Sequence, residues 1–319
     1  PQQVADLIAY LQNQKTKPQT VTPKTTGFAF TQQKDRVTLR LDGRKITEYL
    51  LDHPQLTRRA FINVHTHTGI QVTRNYPPMP SDGGDHPVMH PGIWMGFGHL
   101  DGQDYWRLKA KVLHDGFVDK PKAGKGRASF AVRNRYLTSD GNSEICREIN
   151  RIEFRRHEIG MLLLWDSTFQ NDKRDFYFGD QEESGLAIRV ATPLNVQGGT
   201  GTIINDRGEK NGTGTWGRPM RWIDYSGKIN KRQIGLMIVP AADNPRPCWS
   251  HSRDYGVLVA NPFPKQPKER REPYVKTWVK KGQPFRICYA VLIHDTIKAI
   301  DHAKEFRDLQ KILAEVWRR

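Results

Sequence analysis

The chain predicts an all-β protein built as an antiparallel sandwich or barrel. Three observations carry that expectation. Short apolar runs rich in β-branched and aromatic residues recur from residue 37 to residue 294. Gly, Pro, Asn and Asp turns separate them, and no stretch with helical periodicity interrupts them. The longest apolar run, Met161-Leu162-Leu163-Leu164-Trp165, has the length of a buried strand. Regular strands without βα alternation argue for stacked antiparallel sheets.

In chain order, residues 1–13 read as a helix, with Pro1 at the first turn and Val4, Leu7, Ile8 and Leu11 on one face. Residues 14–26, made of Lys, Thr, Gln and Pro, read as a linker. Residues 27–319 form the β domain. Val37 to Leu41 alternates, Asp42-Gly43 makes a hairpin turn, and Ile46 to Leu50 returns. Further strands are expected at 69–74, 93–99, 106–113, 129–136, 148–156, 159–165, 186–191, 220–225, 234–239, 255–260 and 285–294. A last helix is expected from Thr296 to Trp317, with Ile300, Ala303, Phe306, Leu309 and Leu313 on one side.

Composition narrows the function classes. The chain has 319 residues, enough for one large β domain or two medium ones. No apolar run approaches the roughly 18 residues of a membrane helix, so no membrane span is expected. Fifty Lys and Arg against 34 Asp and Glu give a net charge of +16. Such a surface suits an anionic partner, or is simply a solvated basic face. No nucleic-acid motif accompanies it, so nucleic acid is not the expected partner. Cys146, Cys248 and Cys288 form no CxxC pair and are expected as buried free thiols. The chain starts at Pro1 without a signal peptide and reads as a piece of a longer protein. Nucleophile-elbow, phosphate-loop, dinucleotide and HExxH signatures are all missing.

The densest chemistry lies between Asp85 and Trp106, a stretch holding His86, His90, His99, Trp94, Asp101 and Asp104. Pro87 and Pro91 argue against a helix there, so His86 and His90 sit on a loop entering a strand. Asp85 could orient one imidazole. His90 is the preferred general acid/base, since a near-neutral pKa suits that role. The bland reading is a structural Asp–His hydrogen bond in a turn. His65-Thr66-His67 would put two imidazoles on one strand face, a metal-ligand spacing or a loop with one surface histidine. A metal-dependent oxidoreductase holding copper, zinc or iron through His65, His86, His90 and His99 (or His251) is the alternative, with a single ion as the only cofactor considered. Glu182-Glu183 precedes an apolar strand carrying Arg189, and a Glu183–Arg189 pair could position a carboxylate, or be a structural salt bridge. Arg253 could bind a carboxylate or sulfate. Trp216 and Trp249 offer stacking faces, or core packing, and His251 lies between Trp249 and Arg253.

Two resemblances add to this reading. The segment "QVADLIAYL" resembles the closing helix of a c-type cytochrome domain. This implies an upstream haem domain in the parent chain and an extracytoplasmic location. The ordered motifs "NVHTHTGIQVTRNYPP", "DHPVMHPGIWMGFGHLDGQDYW", "LLLWDSTF", "FGDQEESGLAIRVATPL", "WGRPMRWIDYSG" and "SRDYGVLVANPF" resemble the bacterial PmoA-like family common in planctomycetes. That resemblance implies a galactose-mutarotase-like supersandwich, with a His and a Glu on the concave sheet face. Its motifs map onto His86 and His90, onto Glu182 and Glu183, and onto His251, Arg253 and Asp254. Relatives often carry Pro where this chain has His67, which weakens the His65/His67 metal site. The expectation is a carbohydrate-active enzyme of epimerase, hydrolase or lyase type acting on a sugar or glycan, neutral or anionic. His90 and Glu183 would be the acid–base pair, with His86, Arg189, Trp216, His251 and Arg253 binding substrate. A non-catalytic glycan-binding module is the further alternative.

Overall fold

A computed structural model describes residues 26–263 and 274–318. The helix expected at 1–13, and the linker but for its last residue, lie outside the described residues. The fold is a large antiparallel β-sandwich. One sheet has nine strands: β1 (Phe28–Gln32), β2 (Arg36–Leu41), β3 (Arg44–Leu50), β4 (Ala60–Ile62), β5 (Gly92–Phe97), β11 (Ser184–Arg189), β17 (Val257–Asn261), β16 (Cys248–Arg253) and β13 (Pro219–Met220), in that spatial order. The facing sheet has eight, in the order β12 (Thr202–Asn205), β14 (Ile223–Ile229), β15 (Arg232–Pro240), β19 (Phe285–Thr296), β9 (Gly160–Gln170), β8 (Glu144–His157), β7 (Arg127–Leu137) and β6 (Val112–Ala123). A separate two-stranded ribbon pairs β10 (Phe176–Gly179) with β18 (Lys276–Val279).

The period-2 pattern explains which face each residue takes. On β5, Ile93, Met95 and Phe97 point into the inter-sheet core, while Trp94 belongs to a smaller cluster on the opposite face. Aromatic rings lock the two sheets together: Phe61 meets Phe154 at 5.4 Å and Trp165 at 5.9 Å, and Phe97 meets Phe169 at 5.5 Å. On β9, Met161, Leu163 and Trp165 face the core, while Leu162 and Leu164 pack under the C-terminal helix (His302–Trp317). Both faces of β9 are therefore buried, which accounts for its continuous apolar run.

The C-terminal helix lies on the outer face of the eight-stranded sheet through Leu309, Leu313 and Val316. Asp301 caps it by accepting from the Lys304 N–H. Inside its first turn, His302 stacks on Trp222 at 4.8 Å and meets Asp224, which also holds His294 at 2.9 Å. All three cysteines are free and buried. No described helix is long and apolar enough to cross a membrane.

Two expected strands are corrected. Residues 69–74 make only isolated bridges, His65 to Gln71 and Thr73 to Val190, because Thr66, Gly69 and Ile70 close a tight turn. Residues 106–111 form turns: the Asp104 carbonyl accepts from the Lys109 and Ala110 N–H groups and its side chain from the Arg107 N–H. The strand there begins only at Val112.

Candidate functional site

The sheet register brings the candidate residues to the outer face of the nine-stranded sheet. Across that face Ala60 pairs with Trp94, Trp94 with Ala187, Ala187 with Val259, and Val259 with His251. The adjacent row runs Arg189, Val257, Arg253. Small and β-branched residues thus form the floor, and indole, imidazole and guanidinium groups rise around it. Gly96 is part of that floor. A Cβ there would lie 3.1 Å from the Trp106 ring and 3.2 Å from Trp94, so a side chain would crowd both indoles.

The loop that follows the cis Tyr76–Pro77 bond supplies His86 and His90. Two arginines hold it by its main chain. Arg74 donates to the carbonyls of Asp85 at 2.7 Å, His86 at 2.8 Å and His90 at 3.2 Å. Arg58 donates to the carbonyls of Tyr105 at 2.9 Å and Trp106 at 2.6 Å, and to that of Met89. Its guanidinium lies 5.2 Å from the Trp94 ring and 5.9 Å from the Trp106 ring. These contacts fix His86 with φ of 46°, in the left-handed region that a β-carbon disfavours. The His86 ring stacks on His90 at 4.6 Å, and His90 stacks on Trp94 at 5.4 Å.

Opposite this wall stands β16, unrecognised as a strand in the sequence. It presents Trp249, His251 and Arg253 on one side. The one-turn helix Asn211–Thr215 docks on β16: Thr215 Oγ1 meets Ser252 Oγ at 2.7 Å, and the Gly212 N–H donates to Asp254 at 2.7 Å. Trp216 follows that turn and lies against the Arg253 guanidinium, 4.2 Å from ring centre to Cζ. The carboxylate loop is clamped between, with the Asn261 side chain donating to the carbonyls of Gln181 at 2.7 Å and Glu182 at 3.1 Å.

Glu182 and Glu183 have different fates. Glu183 is paired with Arg107, which also holds Asp104 at 3.2 Å. No hydrogen bond or ion pair links Glu183 to His90 or Arg189 among the described residues. The expected Glu183–Arg189 pair is thus replaced: Arg189 donates to both oxygens of Asp85, at 2.7 and 3.0 Å. Glu182 instead has Oε2 at 3.8 Å from His251 Nδ1 and 3.7 Å from an Arg253 terminal nitrogen, both beyond hydrogen-bond length.

Several buried polar atoms on this face have no hydrogen-bond partner in the protein: both ring nitrogens of His90, His251 Nδ1, Glu182 Oε2, and the indole nitrogens of Trp94 and Trp106. Buried polar groups are ordinarily satisfied, and these six atoms are not satisfied by protein groups. Burial, reinforced by His86 and by Arg189, Arg58 and Arg74, holds His90 far below the ordinary imidazole range. Burial first, then Arg253 and Arg107, lowers His251 to about 3. Both rings are therefore neutral at neutral pH.

The metal alternative is corrected in its ligands. Among the described residues the histidine, cysteine and carboxylate groups that converge are Asp85, His86 and His90, within 4.8 Å. His65 bonds the Asn63 carbonyl at 2.7 Å, and His99 bonds Tyr274 at 2.7 Å. The converging trio fits a cation poorly. Both Asp85 oxygens already serve Arg189, Arg74 adds a second positive charge at 3.5 Å, and the two imidazoles stack 24° from parallel, so their in-plane lone pairs do not meet. Arg58, Arg74 and Arg107 were missed in the sequence, since arginines that grip carbonyls or a distant carboxylate leave no local pattern.

The comparisons with known proteins follow from this architecture. No curated protein matches the chain. It resembles the galactosidase domain of an alpha-galactosidase–sucrose kinase at 9% identity and a TM-score of 0.44, over 82% of this chain and 41% of that one. The chain therefore spans about two fifths of that structure's length. It also resembles a galactose mutarotase-like protein from Lactobacillus casei at 9% identity, TM-score 0.35, over 84% and 100% of the two chains. A galactose mutarotase related enzyme from Lactobacillus acidophilus matches at 10% identity, TM-score 0.34, over 86% and 99%. Likenesses this distant carry no functional argument.

The sequence match is of another kind. The model of the family of unknown function DUF6807 matches residues 36–306. That match overturns the PmoA-like assignment drawn from the ordered motifs. Nothing supports the cytochrome-like tail or the upstream haem domain, whose residues lie outside those described. With most of its length matched, the chain belongs to the family of unknown function DUF6807.

Proposed function

We propose that the outer face of the nine-stranded sheet binds a saccharide and abstracts a proton from it, as an epimerase- or lyase-type enzyme does. The observation that carries this reading is the Glu182–His251 pair. Glu182 Oε2 and His251 Nδ1 are 3.8 Å apart, and neither has a hydrogen-bond partner in the protein. Both atoms are almost wholly covered by protein, so a sugar hydroxyl satisfies them as the partly exposed Glu182 side chain turns toward it.

Glu182 then serves as the base. His251, a neutral imidazole, hydrogen-bonds and polarises the neighbouring oxygen without delivering a full positive charge. Trp249, partly exposed on the same side of β16, offers a face. Glycoside hydrolysis needs two carboxylates that are both available. Here Glu183 is engaged by Arg107, which favours proton abstraction over hydrolysis.

The test is a panel of mono- and oligosaccharides in heavy water, with deuterium wash-in at carbon followed by NMR. The parent should exchange at least one substrate, and Glu182→Gln should slow that exchange by about a hundredfold or more. Exchange in Glu182→Gln and His251→Asn at the parent's rate would overturn the reading.

A further inference from the structure

We infer that the sugar taken at this face carries a carboxylate, as a uronic acid does, and that Arg253 braced on Trp216 receives it. The inference rests on the saccharide reading above and names its substrate class.

The first argument is spacing. His251 and Arg253 are two residues apart on β16, hence on the same side and about 6.8 Å apart along the strand. Glu182 Oε2 lies 3.8 Å from His251 Nδ1 and 3.7 Å from an Arg253 terminal nitrogen, so a sugar seated against Glu182 and His251 brings a neighbouring substituent within reach of the Arg253 guanidinium. This is the arrangement of a ring hydroxyl and the exocyclic acid group of a uronate.

The second argument is the readiness of the guanidinium. Arg253 stacks on the Trp216 ring at 4.2 Å, which orients its planar fork, and its side chain remains 28% exposed. The carboxylate near it, Glu182, is 3.7 Å away, so no bidentate pair consumes the fork. Arg189 differs: it is buried and both its terminal nitrogens are committed to Asp85. A planar fork held in one orientation matches a planar carboxylate through two parallel hydrogen bonds.

The third argument is charge. Arg58, Arg74, Arg107, Arg189 and Arg253 face Asp85, Asp104, Glu182 and Glu183. Arg58 is buried and its hydrogen bonds go to carbonyl oxygens, with Asp104 the carboxylate that acts on it at longer range. A ligand carboxylate would add to the negative charge that this arginine-rich wall meets. Burial is the main cause of the depressed basicity of His90 and His251, and the neighbouring arginines add to it.

Isothermal titration of the full chain with glucuronate, galacturonate, glucose, galactose and glucose 6-phosphate tests this. One uronate should bind about tenfold or more tighter than its neutral counterpart, the expected return of a charge-assisted pair. Arg253→Gln should bring that ratio close to one, and Arg253→Lys should leave it intermediate, with circular dichroism confirming that both variants fold. A neutral sugar binding as tightly as its acid overturns the inference and leaves the saccharide reading standing. A sugar phosphate binding tighter than both uronates overturns the carboxylate assignment. A ratio that survives Arg253→Gln removes Arg253 from the role. No binding of any sugar in the panel overturns both readings together.

Discussion

Arg189, buried in the nine-stranded sheet, donates to both oxygens of Asp85, 104 positions earlier on the histidine loop. The pair joins strand to loop. Asp85 is 38% exposed, so its share of the interaction is screened, whereas the guanidinium is almost wholly desolvated. Asp85→Asn should therefore destabilise the fold by about 1–3 kcal/mol, mainly by leaving the arginine short of a counter-charge. Urea unfolding gives the number, and a loss under about 0.5 kcal/mol would mean that the pair acts as an ordinary surface contact.

The same pair decides the question of a metal. With Asp85 occupied by Arg189 and the two imidazoles stacked, the trio should not retain an ion. Protein purified without an affinity tag should carry less than about 0.1 copper, zinc or iron per chain, because a true ligand set of this type holds such ions tightly. Stoichiometric metal would restore the oxidoreductase alternative.

The two adjacent glutamates should separate cleanly in function. Glu182→Gln should weaken ligand binding or turnover severely. Glu183→Gln should act mainly on the Arg107 contact, whose partners are 17% and 38% exposed, and should change stability by under about 1 kcal/mol. Parallel titrations and melts of the two variants are enough. A stronger functional loss in Glu183→Gln would return the acid–base role to the residue first favoured from sequence.

Stability should fall on mild acidification. In the unfolded chain His90 and His251 take up protons near pH 6.5, while in the folded chain burial keeps both neutral to far lower pH. Below pH 6.5 the unfolded state therefore binds more protons, and each group removes about 1.4 kcal/mol of stability per pH unit. Exposed carboxylates contribute little between about pH 6.5 and 5, and the buried Glu148, raised by burial, acts in the opposite direction, so a fall in stability there is assigned to histidine. Urea midpoints across that window measure it, and His90→Gln should reduce it by roughly 1.4 kcal/mol per pH unit. A flat profile would show that the rings gain compensating partners.

The C-terminal helix should behave as an integral layer. Leu309 is fully buried against the apolar strip that includes Leu162, Leu164 and Leu292. Leu309→Ala should cost about 2–5 kcal/mol, measured by chemical unfolding.

Much of the sandwich was legible because its strands obey a simple rule. Runs such as Met161–Trp165 and Phe285–His294 are apolar on both faces or alternate, and both become long central strands. Failures came where backbone geometry depends on distant partners. Residues 106–111 contain apolar side chains at strand spacing, yet Asp104 winds them into turns. The site was legible as residue types but not as pairings. His251 and Arg253 share a face by alternation, which the sequence shows once β16 is recognised. The choice between Glu182 and Glu183 rests on a loop clamped by Asn261 and Arg107, and neither contact has a signature in the local sequence.

The grip of Arg58 and Arg74 on the histidine loop falls on main-chain oxygens. Every residue type has that oxygen, so the loop's path is indifferent to most changes in its own side chains. Residues 87 to 89 can thus be randomised in a library without losing that anchorage, whereas His86 is set by its positive φ and His90 by its burial against Trp94. The two arginines cannot. Selection for new ligands would act on the gripped segment and spare the hands that hold it.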